Sequence, residues 1–218
     1  MATDGTALNR AAYEQIAGLY ADRQRAAMRA AGPEGQWLAP LEEAFLTALS
    51  GRGRQGVALV ADLGCGPAAD GARIAAAGHD VVGLDLSPAM LSFAAAALPG
   101  RVAQADLRAL PLAPRTLDGI WCSAALLHVP EPATATVLDG FRRVLRPDGV
   151  LALVTAAGEG DRLEPVPYAP EVVRWFVYRD PSRLREQVTA AGFHVELAAE
   201  VTSHRVWTTL LARAKVLG

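Results

Sequence analysis

Cysteine is scarce in this chain, with only Cys65 and Cys122 among 218 residues. Two thiols so far apart exclude a disulfide framework, and a reducing, cytoplasmic compartment fits best. A basic run or stripe is also missing. Lys and Arg number 21 against 23 Asp and Glu, for a formal net charge of -2. That balance gives nucleic acid no electrostatic footing. No apolar stretch reaches the roughly 18 to 20 residues of a membrane helix. The nearest in flavour, "ALLHVPEPATATVL", is broken by Pro130, Glu131 and Pro132. The opening "MATDGTALNR" lacks the basic start and apolar core of a signal peptide, so none is expected. Internal repeats and low-complexity segments are absent, and nothing reports the oligomeric state.

What is present is apolar residues, 51% of the chain, enough to bury one sizeable core. The expected division is an N-terminal helical cap over residues 1–52 and an α/β domain over 53–218, in one structural unit. Residues 7–30 read as a helix with Tyr13, Ile16, Ala17 and Tyr20 on one face. "AGPEG" breaks it, and a second helix is expected over 36–49. From Val57 strands and helices alternate. "VALVADL", "DVVGLDL", "RVAQAD", "LDGIWCS" and "VLALVTA" read as strands, separated by helices over 69–77, from Pro88 and over 132–146. Asp180 and Pro181 start another helix. Phe193 to Val201 alternates with period two, as an antiparallel strand near an edge, and a last strand runs over about 205–213. This pattern predicts a Rossmann-like doubly wound sheet, mostly parallel, with an antiparallel C-terminal hairpin strand.

Ligands of such sheets bind at the carboxyl ends of the strands, where strand order reverses. The residues to weigh there are "DLGCGP", "LDLS", "QADL" and "CSAALLH". Gly64 and Gly66 permit a tight turn and close backbone approach. Gly64-x-Gly66-x-x-Ala69 also satisfies the loose dinucleotide pattern. Asp85 follows Gly66 by 19 positions, near the spacing of an acid that accepts from ribose hydroxyls. An NAD enzyme and an adenosyl-binding enzyme would both want that acid, so the motif leaves both open.

The chain resembles the class I S-adenosylmethionine-dependent methyltransferases of the small-molecule kind. "VADLGCGP", "VGLDLSPAML", "QADLRALPLAPRTLDGIWCSAALLHV", "FRRVLRPDGVLAL" and "LREQVTAAGF" carry the likeness, in order, over about two-thirds of the sequence. The resemblance implies the cofactor S-adenosyl-L-methionine, the product S-adenosyl-L-homocysteine, and no metal. Asp62, Gly64, Cys65 (through its backbone) and Gly66 would meet the methionine end. A carboxylate such as Asp62 suits an ammonium and repels a pyrophosphate, which needs bare backbone N–H groups. Asp85 would take the ribose, Leu86 and Met90 would flank the adenine, and Asp106 with the Leu107 backbone would meet its edge. Ser123 would lie beneath the sulfonium. Tyr13 and Tyr20 match the family's N-terminal helix that closes over the cofactor.

Methyl transfer by in-line displacement to a small organic acceptor, on oxygen or nitrogen, is the implied reaction. His128 is the candidate base, with an ordinary pKa of about 6.5. His79, His194 and His204 read as structural. The insert "AAGEGDRLEPVPYAPEVVRWFVYRD" follows the fifth strand and is expected to hold the acceptor through Tyr168, Arg174, Trp175 and Tyr178. The alternatives are an NAD-dependent oxidoreductase and a non-catalytic S-adenosylmethionine-binding regulatory protein. The former is disfavoured by Asp62, by Asp106 and by the lack of a Tyr-x-x-x-Lys pair.

Overall fold

The computed structural model describes residues 5–30 and 37–216. The "AGPEG" break and Gln36 lie outside the described residues. Helix α1 spans Gly5–Ala30 and α2 spans Ala39–Leu49. The alternating part follows as β1 (Leu59–Leu63), α3 (Ala69–Ala76), β2 (Asp80–Asp85), α4 (Pro88–Ala97), β3 (Val102–Gln104) and β4 (Leu117–Ser123). After α5 (Thr134–Val144) and β5 (Leu145–Ala156) come β6 (Asp161–Val166), β7 (Ala169–Val177), α6 (Pro181–Ala190), β8 (Phe193–Thr202) and β9 (Val206–Ala214).

Seven strands form one sheet in the order β3-β2-β1-β4-β5-β9-β8. β1 pairs in parallel with both β2 and β4, so strand order reverses between β1 and β4. β9 enters antiparallel beside β5, and β8 pairs antiparallel with β9 at the edge. The doubly wound sheet and its C-terminal hairpin are those the alternation predicts. β1 and residues 150–156 of β5 are near-continuous apolar runs, as suits strands covered by helices on both faces. One face packs Phe141 of α5, Leu184 of α6 and Phe193 against Leu63 and Ile120. The other packs Phe45 and Leu49 of α2, Ile74 of α3 and Leu91 of α4 against Val60, Trp121 and Val150.

Local sequence chemistry sets the boundaries. Pro88 occupies the first turn of α4, and the Ser87 hydroxyl accepts from Met90 N. The Asp180 carboxylate caps α6 through Arg183 N at 2.8 Å. α5 is shorter than its apolar stripe predicts, because Glu131, Pro132 and Ala133 form a 3₁₀ turn and Leu145 already belongs to β5.

Two differences bear on the site. The first fifty-odd residues do not act as one cap: α2 is a core layer, with Phe45 and Leu49 fully buried, and α1 alone reaches the site. Moreover, the aromatic insert is not a loop. It is the hairpin β6–β7, a separate two-stranded sheet. Its β7 packs against α1. Among the described residues, no helix is long and apolar enough to cross a membrane.

Candidate active site

A cleft open to solvent lies at the carboxyl ends of β1, β2 and β4 and under α1. Gly64 and Gly66 form its floor with φ of +68° and +52°. A Cβ on Gly64 would stand 2.2 Å from the Ala125 Cβ, so the loop after β4 rests directly on this glycine. Asp85 ends β2 and lines the cleft. Its carboxylate accepts from Gly66 N at 2.9 Å and Ser87 N at 2.8 Å, tying the glycine loop to the next turn. Burial raises the Asp85 carboxyl pKa, while these backbone donors oppose the shift.

Gly64, Gly66, Asp85, Leu86, Met90, Asp106, Leu107 and Ser123 all line the cleft, with Tyr13 and Tyr20 from α1. Thus residues far apart in sequence share one surface. Asp106 is held there by Arg108, whose Nε lies 3.0 Å from both carboxylate oxygens.

Asp62 and Cys65 are not among the lining residues. Asp62 is buried, and its carboxylate turns under α3 to accept from Gly71 N at 2.9 Å. Helix α3 has Ala68 at its N-cap with no capping side chain, so the strand residue serves instead. Burial, then the Asp70 charge, pushes the Asp62 carboxyl well up. The carboxylate expected to meet a ligand ammonium is found capping α3. Gly66 N and Gly71 N are thus taken up by Asp85 and Asp62. Cys65 packs its sulfur over Gly83.

His128 lines the cleft, but not as a free base. Tyr13 Oη lies 2.8 Å from its Nε2, and its Nδ1 lies 3.0 Å from Asn9 Nδ2 and 3.1 Å from Trp175 O. Both ring nitrogens are engaged. Burial, with Arg174, Arg205 and Arg179 nearby, lowers its pKa to about 3. Where a free base was expected, the structure places a buried imidazole bonded through both ring nitrogens, which holds its neighbours in place.

The four residues expected to hold an acceptor lie on the hairpin or just beyond it, and none lines the cleft. The Trp175 indole covers Gly5 at the start of α1. Tyr178 bonds Glu164 and receives Arg205 Nη1 at 2.7 Å, so it braces the hairpin. The Arg174 Nη1 stands 3.4 Å from Tyr13 Oη, just behind the cleft wall, and Tyr168 packs with Tyr13 against the same apolar cluster.

Asn9 was missed by sequence reasoning. It is buried; its Oδ1 accepts from Trp175 N at 2.7 Å, and its Nδ2 donates to Trp175 O at 2.8 Å. The signal was available, since Asn9 lies four positions before Tyr13 on the inner face of α1. Thr6, Arg10 and Arg108 also line the cleft without a motif to mark them.

Residues 60–149 match the family model described as a methyltransferase domain. A trans-aconitate 2-methyltransferase of Methylobacterium radiotolerans is 46% identical over 98 residues, 44% of this chain and 36% of that one. The chain spans well under two thirds of the length of such curated relatives, from 36% to 61%. Among solved structures, the DhpI complex with S-adenosylhomocysteine superposes with a TM-score of 0.71 at 19% identity, covering 100% of both chains. The 1,6-didemethyltoxoflavin-N1-methyltransferase of Burkholderia thailandensis gives 0.64 at 24% identity, covering 83% of this chain and 79% of that one. At these identities the likeness is one of fold. Residues 60–149 thus match a methyltransferase domain, and the chain as a whole shares the fold of S-adenosylmethionine-dependent methyltransferases.

Proposed function

We propose that this chain is an S-adenosylmethionine-dependent methyltransferase acting on oxygen or nitrogen of a small organic acceptor. The observation that carries this reading is the Asp85 carboxylate, which lines the cleft while bonded to Gly66 N. One acid thereby fixes the glycine turn and presents acceptor lone pairs at the place a ribose would take. Trans-aconitate and 1,6-didemethyltoxoflavin, named for two similar proteins, are small molecules, which supports a small acceptor.

The residues present fit the cofactor. Gly64 has no room for a Cβ beside Ala125, and both Gly64 and Gly66 hold the left-handed φ this bare turn requires. Asp85 would hold the ribose, Leu86 and buried Met90 the faces of the adenine, and Asp106 with Leu107 its edge. Tyr20 and Ser123 would stand toward the amino-acid end and the sulfonium. When bound, S-adenosylmethionine supplies a methyl group on an already activated sulfonium. The chain's own work is then positioning and exclusion of water. Proximity and orientation can contribute on the order of 7 to 11 kcal/mol at best. α1 closes the cleft from above, and the His128 ring holds Tyr13 in its wall.

Calorimetric titration tests the reading directly. S-adenosylhomocysteine is expected to bind and NAD is not; NAD binding alone would overturn it in favour of an oxidoreductase. Asp85→Ala is expected to weaken S-adenosylhomocysteine by about 2 to 3 kcal/mol, the scale of lost charge-assisted bonds. Unchanged affinity would remove Asp85 from the site. Transfer of labelled methyl into a metabolite extract separates an enzyme from a non-catalytic binder.

A further inference from the structure

Four polar side chains meet at the cleft wall where α1 faces the hairpin: Tyr13 and Tyr20, which line the cleft, and Tyr168 and Arg174 behind them. The Arg174 charge acts on all three phenols. Tyr13 and Tyr20 stand edge to face, with ring centroids 6.0 Å apart. Arg174 lies 5.0 Å from the Phe176 ring centroid and 5.8 Å from that of Tyr13.

Every one of these groups can donate, and the donors outnumber their acceptors. Among the described residues, Arg174 Nε and Tyr168 Oη are buried atoms with no hydrogen-bond partner. Among the described residues the Arg174 guanidinium makes one hydrogen bond, its long contact with Tyr13 Oη. Among the described residues no carboxylate pairs with it, whereas Glu164 pairs with Arg205 and Arg162. A buried donor left unmade costs on the order of 1 to 3 kcal/mol, so two in one cluster call for a missing acceptor. Arg23 adds a second guanidinium, 4.6 Å from the Tyr168 ring centroid, so the cluster is positively charged and suits an anionic oxygen acceptor such as a carboxylate.

We propose that Arg174 and Tyr168, with the Tyr13 hydroxyl, form a subsite that binds a carboxylate of the acceptor. This rests on the methyltransferase reading above and names the substrate class it would take. The carboxylate could instead be the cofactor's own. The acceptor is favoured by placement on the chain: Arg174 and Tyr168 belong to the hairpin region, outside the residues 60–149 that match the methyltransferase domain. Tyr20, which would face a Cβ on Gly66 at 3.8 Å, is the member nearest that loop.

The test reads binding rather than turnover. Nitrogen-15 spectra of the arginine Nε–H groups, with Arg174→Lys to assign the resonance, are followed during titration with succinate and with neutral succinamide. The titrations are run with and without S-adenosylhomocysteine. A saturable Arg174 shift with succinate and none with succinamide is expected. Tyr168→Phe deletes only a hydroxyl without a partner, so it should leave the melting temperature unchanged or raise it. It should nevertheless weaken succinate at least threefold. No succinate response in either state overturns the subsite. Arg174→Met distinguishes the sources. Affinity for S-adenosylhomocysteine within twofold of wild type supports the acceptor. A tenfold loss for S-adenosylhomocysteine, with none for 5′-methylthioadenosine, which lacks the carboxylate, hands the cluster to the cofactor and overturns the proposal. Failure of S-adenosylhomocysteine to bind wild type would instead strike the methyltransferase reading.

Discussion

Gly64 shows how much one backbone position decides. Its φ of +68° disfavours any side chain, and a Cβ would stand 2.2 Å from Ala125. Gly64→Ala is expected to destabilise the fold by about 1 to 3 kcal/mol from strain alone and to weaken S-adenosylhomocysteine. Denaturant unfolding and calorimetry would read both, and a variant as stable as wild type would refute the close approach. His128 makes a pH-dependent contribution. Its folded pKa is about 3 against an ordinary 6.5. Below pH 6.5 the unfolded chain takes up a proton that the folded chain refuses. The stability from this group is therefore full above pH 6.5 and declines as pH falls toward 3. The slope is about 1.4 kcal/mol per pH unit. Asp62 and Asp85, with raised pKa values, act in the opposite sense. The clean measurement is the difference in unfolding free energy between wild type and His128→Gln. It should fall by about 2 kcal/mol from pH 6.5 to 5, and parallel curves would exclude the neutral, buried ring. The glycines and Asp85 were legible as residues. The direction of Asp62 was not, because an acid at a strand end can face a ligand or a helix, and spacing does not distinguish them.

At the scale of elements, α1 is latched to β7 by one amide. Asn9 pairs with both backbone groups of Trp175, as a neighbouring strand would. Asn9→Ala leaves those groups without partners and should loosen α1 locally. Hydrogen exchange is expected to rise at least tenfold over residues 5–20 and to leave β1, β4 and β5 unchanged. Uniform loss of protection would mean that α1 is part of the global core instead. The existence of α1 was legible from its inner stripe, but its partner was not. β6 and β7 were hidden for a physical reason. Leu163 and Val173 on the hairpin are exposed, so no clean apolar alternation marks the two strands. α2 was read as cap because it precedes β1; its Phe45 belongs to a core that only the folded sheet supplies.

For the whole molecule, the two thiols report different openings. Cys122 is fully buried in β4, and its pKa is pushed up to about 12; burial pushes Cys65 up as well. Neither thiol should react with a thiol reagent in the native state, since the thiolate is the nucleophile. Cys65 sits in the glycine loop and is expected to label through local opening, slowed by S-adenosylhomocysteine. Cys122 should label only at the rate of global unfolding. Equal labelling rates would contradict the separation of loop from core. The sheet as a whole was the most legible feature, because its strands alternate with helices at regular intervals and its central strands are apolar throughout.

By itself, then, the sequence determined the α/β architecture, the turn at Gly64 and Gly66, and the acid at Asp85. Each follows from local constraint: hydrophobic period, permitted φ, and spacing along one strand–helix–strand unit. Only the tertiary structure decided what Asp62 and His128 do and that Asn9, Tyr13, Tyr168 and Arg174 meet. Those outcomes depend on which elements pack together, and a polar side chain is oriented by partners more than one hundred residues away, as with Tyr13 and His128.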